Sequence, residues 1–272
     1  MNQVQFWLRL QDMTSNSPDY VFTSVRELPI RNRNRDTVFD IALLEEAILR
    51  ANQIMLDISN YEVNISEILG MRNLSAFVGE VFARSVAASS QGYFISNPHQ
   101  DGYPDLLLMD EAGQREYARY ANNLRDKLPF SPFATGGLEV KATCGSVPTP
   151  ASLAKRGLEK PGIGDQRVEL LAGYDWKAHH RDTNNLLGIL WDFVDGMPII
   201  TAVFYSSDLT EADWGKIVQP REGGGRTTSV SIMGSSGIKK MYDGCLCVIS
   251  DERYISFLNR KNQATKLSLT GF

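Results

Sequence analysis

From Asp36 to Ser59 the sequence DTVFDIALLEEAILRANQIMLDIS repeats apolar residues at helical spacing and contains neither Gly nor Pro, which predicts an amphipathic helix. A second helix is expected from about Ser66 to Ala88, with Leu69, Phe77, Val81 and Val86 on a broad apolar side. Glu80 interrupts that side, inside the small and apolar stretch Ala76 to Ala83. From Gly92 the pattern changes to β-branched and aromatic residues punctuated by turns, and strands are expected at Tyr93 to Ser96, in the run Pro104 to Met109 and at Leu138 to Thr143. A polar helical stretch, Glu111 to Lys127, separates the last two. Farther on, Leu186 to Val194 and Pro198 to Tyr205 read as strands joined by Asp195-Gly196, the strongest hairpin signal in the chain. Asp208 is read as the start of a short helix with Glu211 near the capping-box position, Thr228 to Met233 as an alternating strand, Cys245 to Ile249 as an apolar strand and about Asp251 to Asn259 as a short helix.

This alternation of helices and strands predicts an α/β fold with a central mixed β-sheet flanked by helices. A single domain, 1–272, is expected, with a helical part over about 1–90 and the sheet over about 91–272. With 43% hydrophobic residues the chain can bury a full core, which excludes disorder and collagen. The three cysteines, Cys144, Cys245 and Cys247, are too few for a disulfide framework, and no segment approaches about 18 uninterrupted apolar residues. A soluble cytoplasmic protein without membrane contact is the expectation. The formal net charge of −4 excludes a protein coated in basic residues, so any polyanion must be met by local clusters.

Two such clusters stand out. Arg26 to Arg35 holds four arginines in ten residues, interleaved with asparagines, and Arg31, Arg33 and Arg35 are the DNA-contact candidates within it. Lys177, His180 and Arg181 form the second, after a long connection that carries Lys155, Arg156, Lys160 and Arg167. Trp176, Trp191 and Trp214 read as core anchors.

The chemistry concentrates elsewhere. Asp105 heads an apolar strand, and strand alternation puts Glu139 and Lys141 on one face of another. Adjacent antiparallel strands would bring two carboxylates and an ammonium to a common edge, which is a divalent-metal site in outline: Mg²⁺ takes one or two protein carboxylates and completes its shell with water and phosphate. A lysine there can orient the attacking water and neutralise charge growing on a phosphoryl group.

Pro104-Asp105 followed by Glu139-Val140-Lys141 resembles the PD-(D/E)xK nucleases, most closely the type II restriction endonucleases, and the resemblance covers roughly residues 66–143. It implies a restriction-endonuclease-like core and a Mg²⁺-dependent, sequence-specific double-strand deoxyribonuclease of a restriction-modification system, with Mn²⁺ able to substitute. The resemblance further implies products with 5′-phosphate and 3′-hydroxyl ends and action as a homodimer on double-stranded DNA. Asp105, Glu139 and Lys141 become the catalytic residues, with Glu80 as the acidic helix residue supporting the metal water or Lys141. Asp105, Glu139 and Val140 become the metal positions. Asp101 and Asp110 compete with Asp105 for the metal role.

Each residue also has a plainer reading: Asp105 as a turn acid, Glu139 and Lys141 as the solvated face of an edge strand, Glu80 as an outward helix acid. The functional alternatives are a structure-specific repair nuclease or resolvase of the same superfamily and a non-catalytic nucleic-acid-binding module.

Overall fold

A computed structural model of the chain describes residues 18–32, 35–59, 65–100, 102–174, 176–178, 183–219 and 229–261. In chain order the elements are β1 (Tyr20–Phe22), β2 (Glu27–Asn32), β3 (Arg35–Asp40), α1 (Ala42–Ser59), α2 (Ile65–Ile68), α3 (Met71–Ser89), β4 (Phe94–Ser96), β5 (Leu106–Leu108), α4 (Glu111–Tyr120), β6 (Gly137–Thr143), α5 (Pro150–Ala154), β7 (Lys177–Ala178), β8 (Leu186–Val194), β9 (Met197–Ser206), β10 (Ser231–Ile232), α6 (Ser235–Asp243), β11 (Cys245–Ile249) and α7 (Glu252–Lys261). Seven strands form one mixed sheet in the order β1-β11-β9-β8-β6-β5-β4. Only β6 and β8 run parallel; the other neighbours are antiparallel. The pairs β2–β3 and β7–β10 make two small separate sheets.

Period-two alternation along β8 explains the two main cores. Leu187, Ile189, Trp191 and Phe193 join one, while Leu186 and Leu190 join the other. The first is covered by α1, through Leu44, Ala47, Ile48, Ala51 and Met55, and by α3, whose Leu74, Val78, Phe82 and Val86 recur one helical turn apart. The second is covered by residues of α6 and α7 together with Tyr174 and Trp176. A third, smaller cluster of Leu107, Met109, Phe130 and Phe133 covers β5. Trp191, Trp176 and Trp214 are buried, as core anchors should be.

One buried polar residue has a clear cause. The register of β8 and β9 shifts after Leu190, and the amide of Ile200 donates to Asn52 Oδ1 of α1 at 3.0 Å. Asn52 is wholly buried, and its Nδ2 donates to the hydroxyl of Tyr20, which itself donates to the Ile200 carbonyl.

Several elements differ from the sequence reading. The helix expected from Asp36 begins at Ala42, and the preceding residues form β3, where exposed Val38 and buried Phe39 alternate as in a strand. The second helix is broken at Leu69-Gly70, with Gly70 in extended conformation ahead of α3. The polar helix ends at Tyr120. The short helix expected from Asp208 is a 3-10 turn over Glu211–Asp213, capped by Thr210, and Asp213 rather than Glu211 closes the capping box. Of the strand expected from Thr228, only Ser231–Ile232 is a strand among the described residues. The part expected to be helical, about 1–90, also holds three strands, one of them in the main sheet. The Asp195-Gly196 hairpin forms as predicted, with both residues at positive φ. Among the described residues no helix is long and apolar enough to cross a membrane.

Gly137 is fixed by close approach. A Cβ there would lie 1.8 Å from the carbonyl oxygen of Leu106, on the strand opposite. Gly137→Ala therefore forces β5 and β6 apart and is expected to cost about 2 to 3 kcal/mol, read as a lower denaturation midpoint in urea. An unchanged midpoint would show that the strands do not need this approach.

Candidate active site

Strands β5 and β6 share only two residue pairs, Leu106 with Leu138 and Leu107 with Gly137. Beyond them β6 continues beside β8, and β5 has not yet begun, so the two chains open as a fork. Side chains take over the bonding where the ladder stops. Asp105, one residue before β5, accepts the amide of Val140 on Oδ2 at 2.8 Å, and its own amide donates to Glu139 Oε2 at 3.2 Å. Period two turns Lys141 to the same side as Glu139, and its Nζ lies 2.5 Å from Glu139 Oε1 and 3.4 Å from Asp105 Oδ2. The sequence-predicted trio therefore meets.

Burial differs across the trio and sets its electrostatics. The Glu139 side chain is 6% exposed, against 24% for Lys141 and 30% for Asp105. Burial pushes the Glu139 carboxyl up to about 7; attraction to Lys141 restrains the rise and the neighbouring Asp105 adds to it. Burial alone would lower the Lys141 ammonium, but Glu139 and then Asp105 hold it well above its ordinary value. The ammonium stays charged and bridges both carboxylates.

The fork opens into a cleft of about 1070 Å³ between α3 and the loop residues 96–100, with Phe77, Glu80 and Arg84 on one wall and Asn97 and His99 on the other. Asn97 shapes that loop: its Nδ2 donates to the carbonyls of Pro104 and Phe130, each at 2.9 Å, and its Oδ1 accepts the His99 amide at 3.0 Å. Asn97 was not singled out in the sequence, although an Asn-Pro turn ahead of Asp105 is a signal for such a role.

Glu80 lines this cleft but is exposed and paired with Arg84 at 2.7 Å, one turn along the helix. The supporting contact expected from Glu80 to Lys141 is not made, because the i,i+4 arginine is the nearer cation. Val140 points its side chain into the core, so only its main chain reaches the fork. Amide and carbonyl of one strand residue face the same neighbour, so its carbonyl faces the fork together with the amide that Asp105 accepts. Asp110 caps α4, accepting the Gly113 amide at 2.9 Å, which gives it a structural role instead of the metal role. Asp101 lies outside the described residues.

Two carboxylates and one main-chain carbonyl fit a hard divalent cation that keeps water or phosphate in its remaining positions. Among the described residues the Oδ1 of Asp105 makes no hydrogen bond, and it borders the open cleft. A closed cage is not built: no group of three or more His, Cys, Asp or Glu converges among the described residues.

The DNA-contact candidates scatter. Arg31 is exposed on β2 and lines a cavity of about 290 Å³ beside the fork, with Asn32, Tyr103, Pro104, Asn184 and Asn185. Arg35 is the first residue of β3. Arg33, His180 and Arg181 lie outside the described residues. Lys177 is exposed on β7, which pairs with β10 and is not part of the cleft wall. Arg167, expected in a basic surface loop, is instead 7% exposed, and its amide donates to both oxygens of buried Asp192 at 3.0 and 2.9 Å. That carboxylate also accepts the Tyr254 hydroxyl at 2.7 Å, so it anchors the long connection to β8 and α7.

Compared with protein-family models, curated proteins and solved structures, the chain matches none. What the site does must be read from its own residues.

Lys141 compensates two carboxylates, one of them buried. Lys141→Met is expected to lower stability by about 2 kcal/mol in EDTA, below the full cost of breaking a buried pair because Lys141 is partly solvated. Added Mg²⁺ should then raise the melting temperature of the variant more than that of the wild type, since the cation takes the place of the ammonium. Equal stability of both proteins in EDTA would contradict this electrostatic account.

Proposed function

We propose that this chain is a Mg²⁺-dependent, sequence-specific endonuclease of double-stranded DNA, of the PD-(D/E)xK kind and similar to type II restriction enzymes. The observation that carries the reading is the fork, in which Asp105, Glu139 and Lys141 meet at the mouth of an open cleft. The order α3, β4, β5, β6 and then parallel β8 is compatible with a restriction-endonuclease-like core. The reading includes action as a homodimer, one site per strand of a twofold-symmetric sequence, within a restriction-modification system.

In this mechanism Asp105 and Glu139, with the main-chain carbonyl of Val140, would hold the cation. When bound, Mg²⁺ or Mn²⁺ supplies Lewis-acid stabilisation of charge on the phosphoryl oxygens. Lys141 leaves its bridge between the carboxylates and donates to the attacking water or to a phosphoryl oxygen, stabilising the charge that grows there. Water adds to phosphorus in line with the 3′-oxygen and gives up one proton to solvent, the P–O3′ bond breaks, and the leaving oxygen takes a proton from solvent, which leaves 5′-phosphate and 3′-hydroxyl ends. Burial of Glu139 against the sheet fixes its carboxylate, and Asn97 fixes the loop that carries Asp105. The cleft lining carries Arg84, Lys127 and Lys141 against Glu80, Asp105 and Glu139, so attraction for a polyanion would come from a cation held by the two acids together with Arg31 beside the cleft.

Incubation with plasmid and Mg²⁺, followed by sequencing of the cut ends, tests the proposal. Discrete bands with ends at one repeated sequence are expected, and Asp105→Asn or Glu139→Gln should lower the rate by about a thousandfold or more while DNA binding persists. Cleavage of branched DNA alone would move the chain to the repair nucleases or resolvases. Absence of cleavage together with no heat on Mn²⁺ titration would leave a nucleic-acid-binding module.

A further inference from the structure

Asn185 immediately precedes β8, is 4% exposed, and directs both ends of its side chain to Arg31, while its Oδ1 also accepts from the Tyr205 hydroxyl at 3.4 Å and its Nδ2 also donates to Asn184 Oδ1 at 3.1 Å. Its Oδ1 accepts the amide of Arg31 at 2.9 Å, and its Nδ2 donates to the carbonyl of Arg31 at 2.8 Å. Asn184 adds a third bond, Nδ2 to the same carbonyl at 2.7 Å. On its other side the main-chain carbonyl of Asn185 accepts the amide of Glu139 at 3.0 Å. One residue therefore ties the backbone of Arg31 to the backbone of Glu139.

The tie acts on position more than on folding. The hairpin β2–β3 keeps other attachments: Leu28, Ile30 and Phe39 are buried in the main core, and the Tyr205 hydroxyl donates to the Pro29 carbonyl at 2.6 Å. Those contacts hold the hairpin on the sheet but lie short of Arg31. The side chain of Arg31 is exposed beside the cavity next to the fork. A bidentate amide pins both backbone groups of Arg31 at once, which fixes the strand end from which its side chain extends.

We propose that Asn185 is a positioning residue that holds the backbone of Arg31 in place relative to the Asp105–Glu139–Lys141 fork, so that the guanidinium reaches a DNA phosphate flanking the bond to be cut. The inference rests on the nuclease reading and adds to it a link between the contact arm and the catalytic strand. Asn185 touches no substrate; it acts through Arg31.

A double-mutant cycle on Arg31 and Asn185 tests this. Binding of a 30-base-pair fluorescent duplex is measured by anisotropy in EDTA, where no cleavage occurs, across a salt series. Arg31→Ala should reduce the log-log salt slope by about 0.9, the loss of one phosphate contact. Asn185→Ala should reduce it by the same amount with an unchanged circular dichroism spectrum, the double variant should show no further reduction, and hydrogen exchange at the Arg31 amide should become faster. If Asn185→Ala fails to fold, Asn185→Asp, which keeps the acceptor for that amide and loses the donor, serves for the same slope. A wild-type slope in a folded Asn185 variant, or reductions that add in the double variant, would overturn the inference. So would an unchanged slope for Arg31→Ala; each of these three results leaves the nuclease reading standing. No binding of the duplex by the wild type, with no cleavage in Mg²⁺, would remove both.

Discussion

Everything about the site follows from β5 and β6 parting after two residue pairs. A strand that loses its neighbour leaves an amide without an acceptor, and a buried unpaired amide is costly. Here Asp105 supplies the acceptor for Val140, and Glu139 supplies one for Asp105 in return. The same bonds that close the end of the ladder bring two carboxylates together. Like charges at that separation are unstable alone, and the ammonium of Lys141 is what makes the arrangement tolerable in a protein without a bound cation.

That arrangement is preorganised in a specific sense. Glu139 is buried against the sheet, Asp105 is held through its backbone and through one oxygen, and the other oxygen borders the cleft. Lys141 is held by ion pairs to both carboxylates, at the end of a long side chain that is 24% exposed.

Much of this was legible in the sequence because period two is a local property. The facing of Glu139 and Lys141, the apolar run after Asp105 and the Asp195-Gly196 hairpin all depend on neighbouring residues only. What escaped depends on distant partners. Residues 36–40 read as the start of a helix, but pairing with residues 27–31 makes them a strand, a tertiary choice that overrides a helical pattern. Glu80 is the local exception, its i,i+4 pairing with Arg84 lying within one helix. Arg167 read as a surface charge, while buried Asp192, 25 residues away, draws its backbone inward. Asn185 carries no pattern of its own, and its importance comes from two segments, one 154 residues distant, that meet on it.

The chain thus brings two carboxylates together on one ammonium at the mouth of a cleft lined by charges of both signs. The central claim is that Asp105 and Glu139 form a divalent-cation site. Mn²⁺ titration followed by electron paramagnetic resonance, which separates free from bound ion, addresses it most directly. The account predicts saturable Mn²⁺ binding in the wild-type chain that is lost in both Asp105→Asn and Glu139→Gln. Binding that is absent from the folded wild type, or that persists unchanged in both variants, would contradict it.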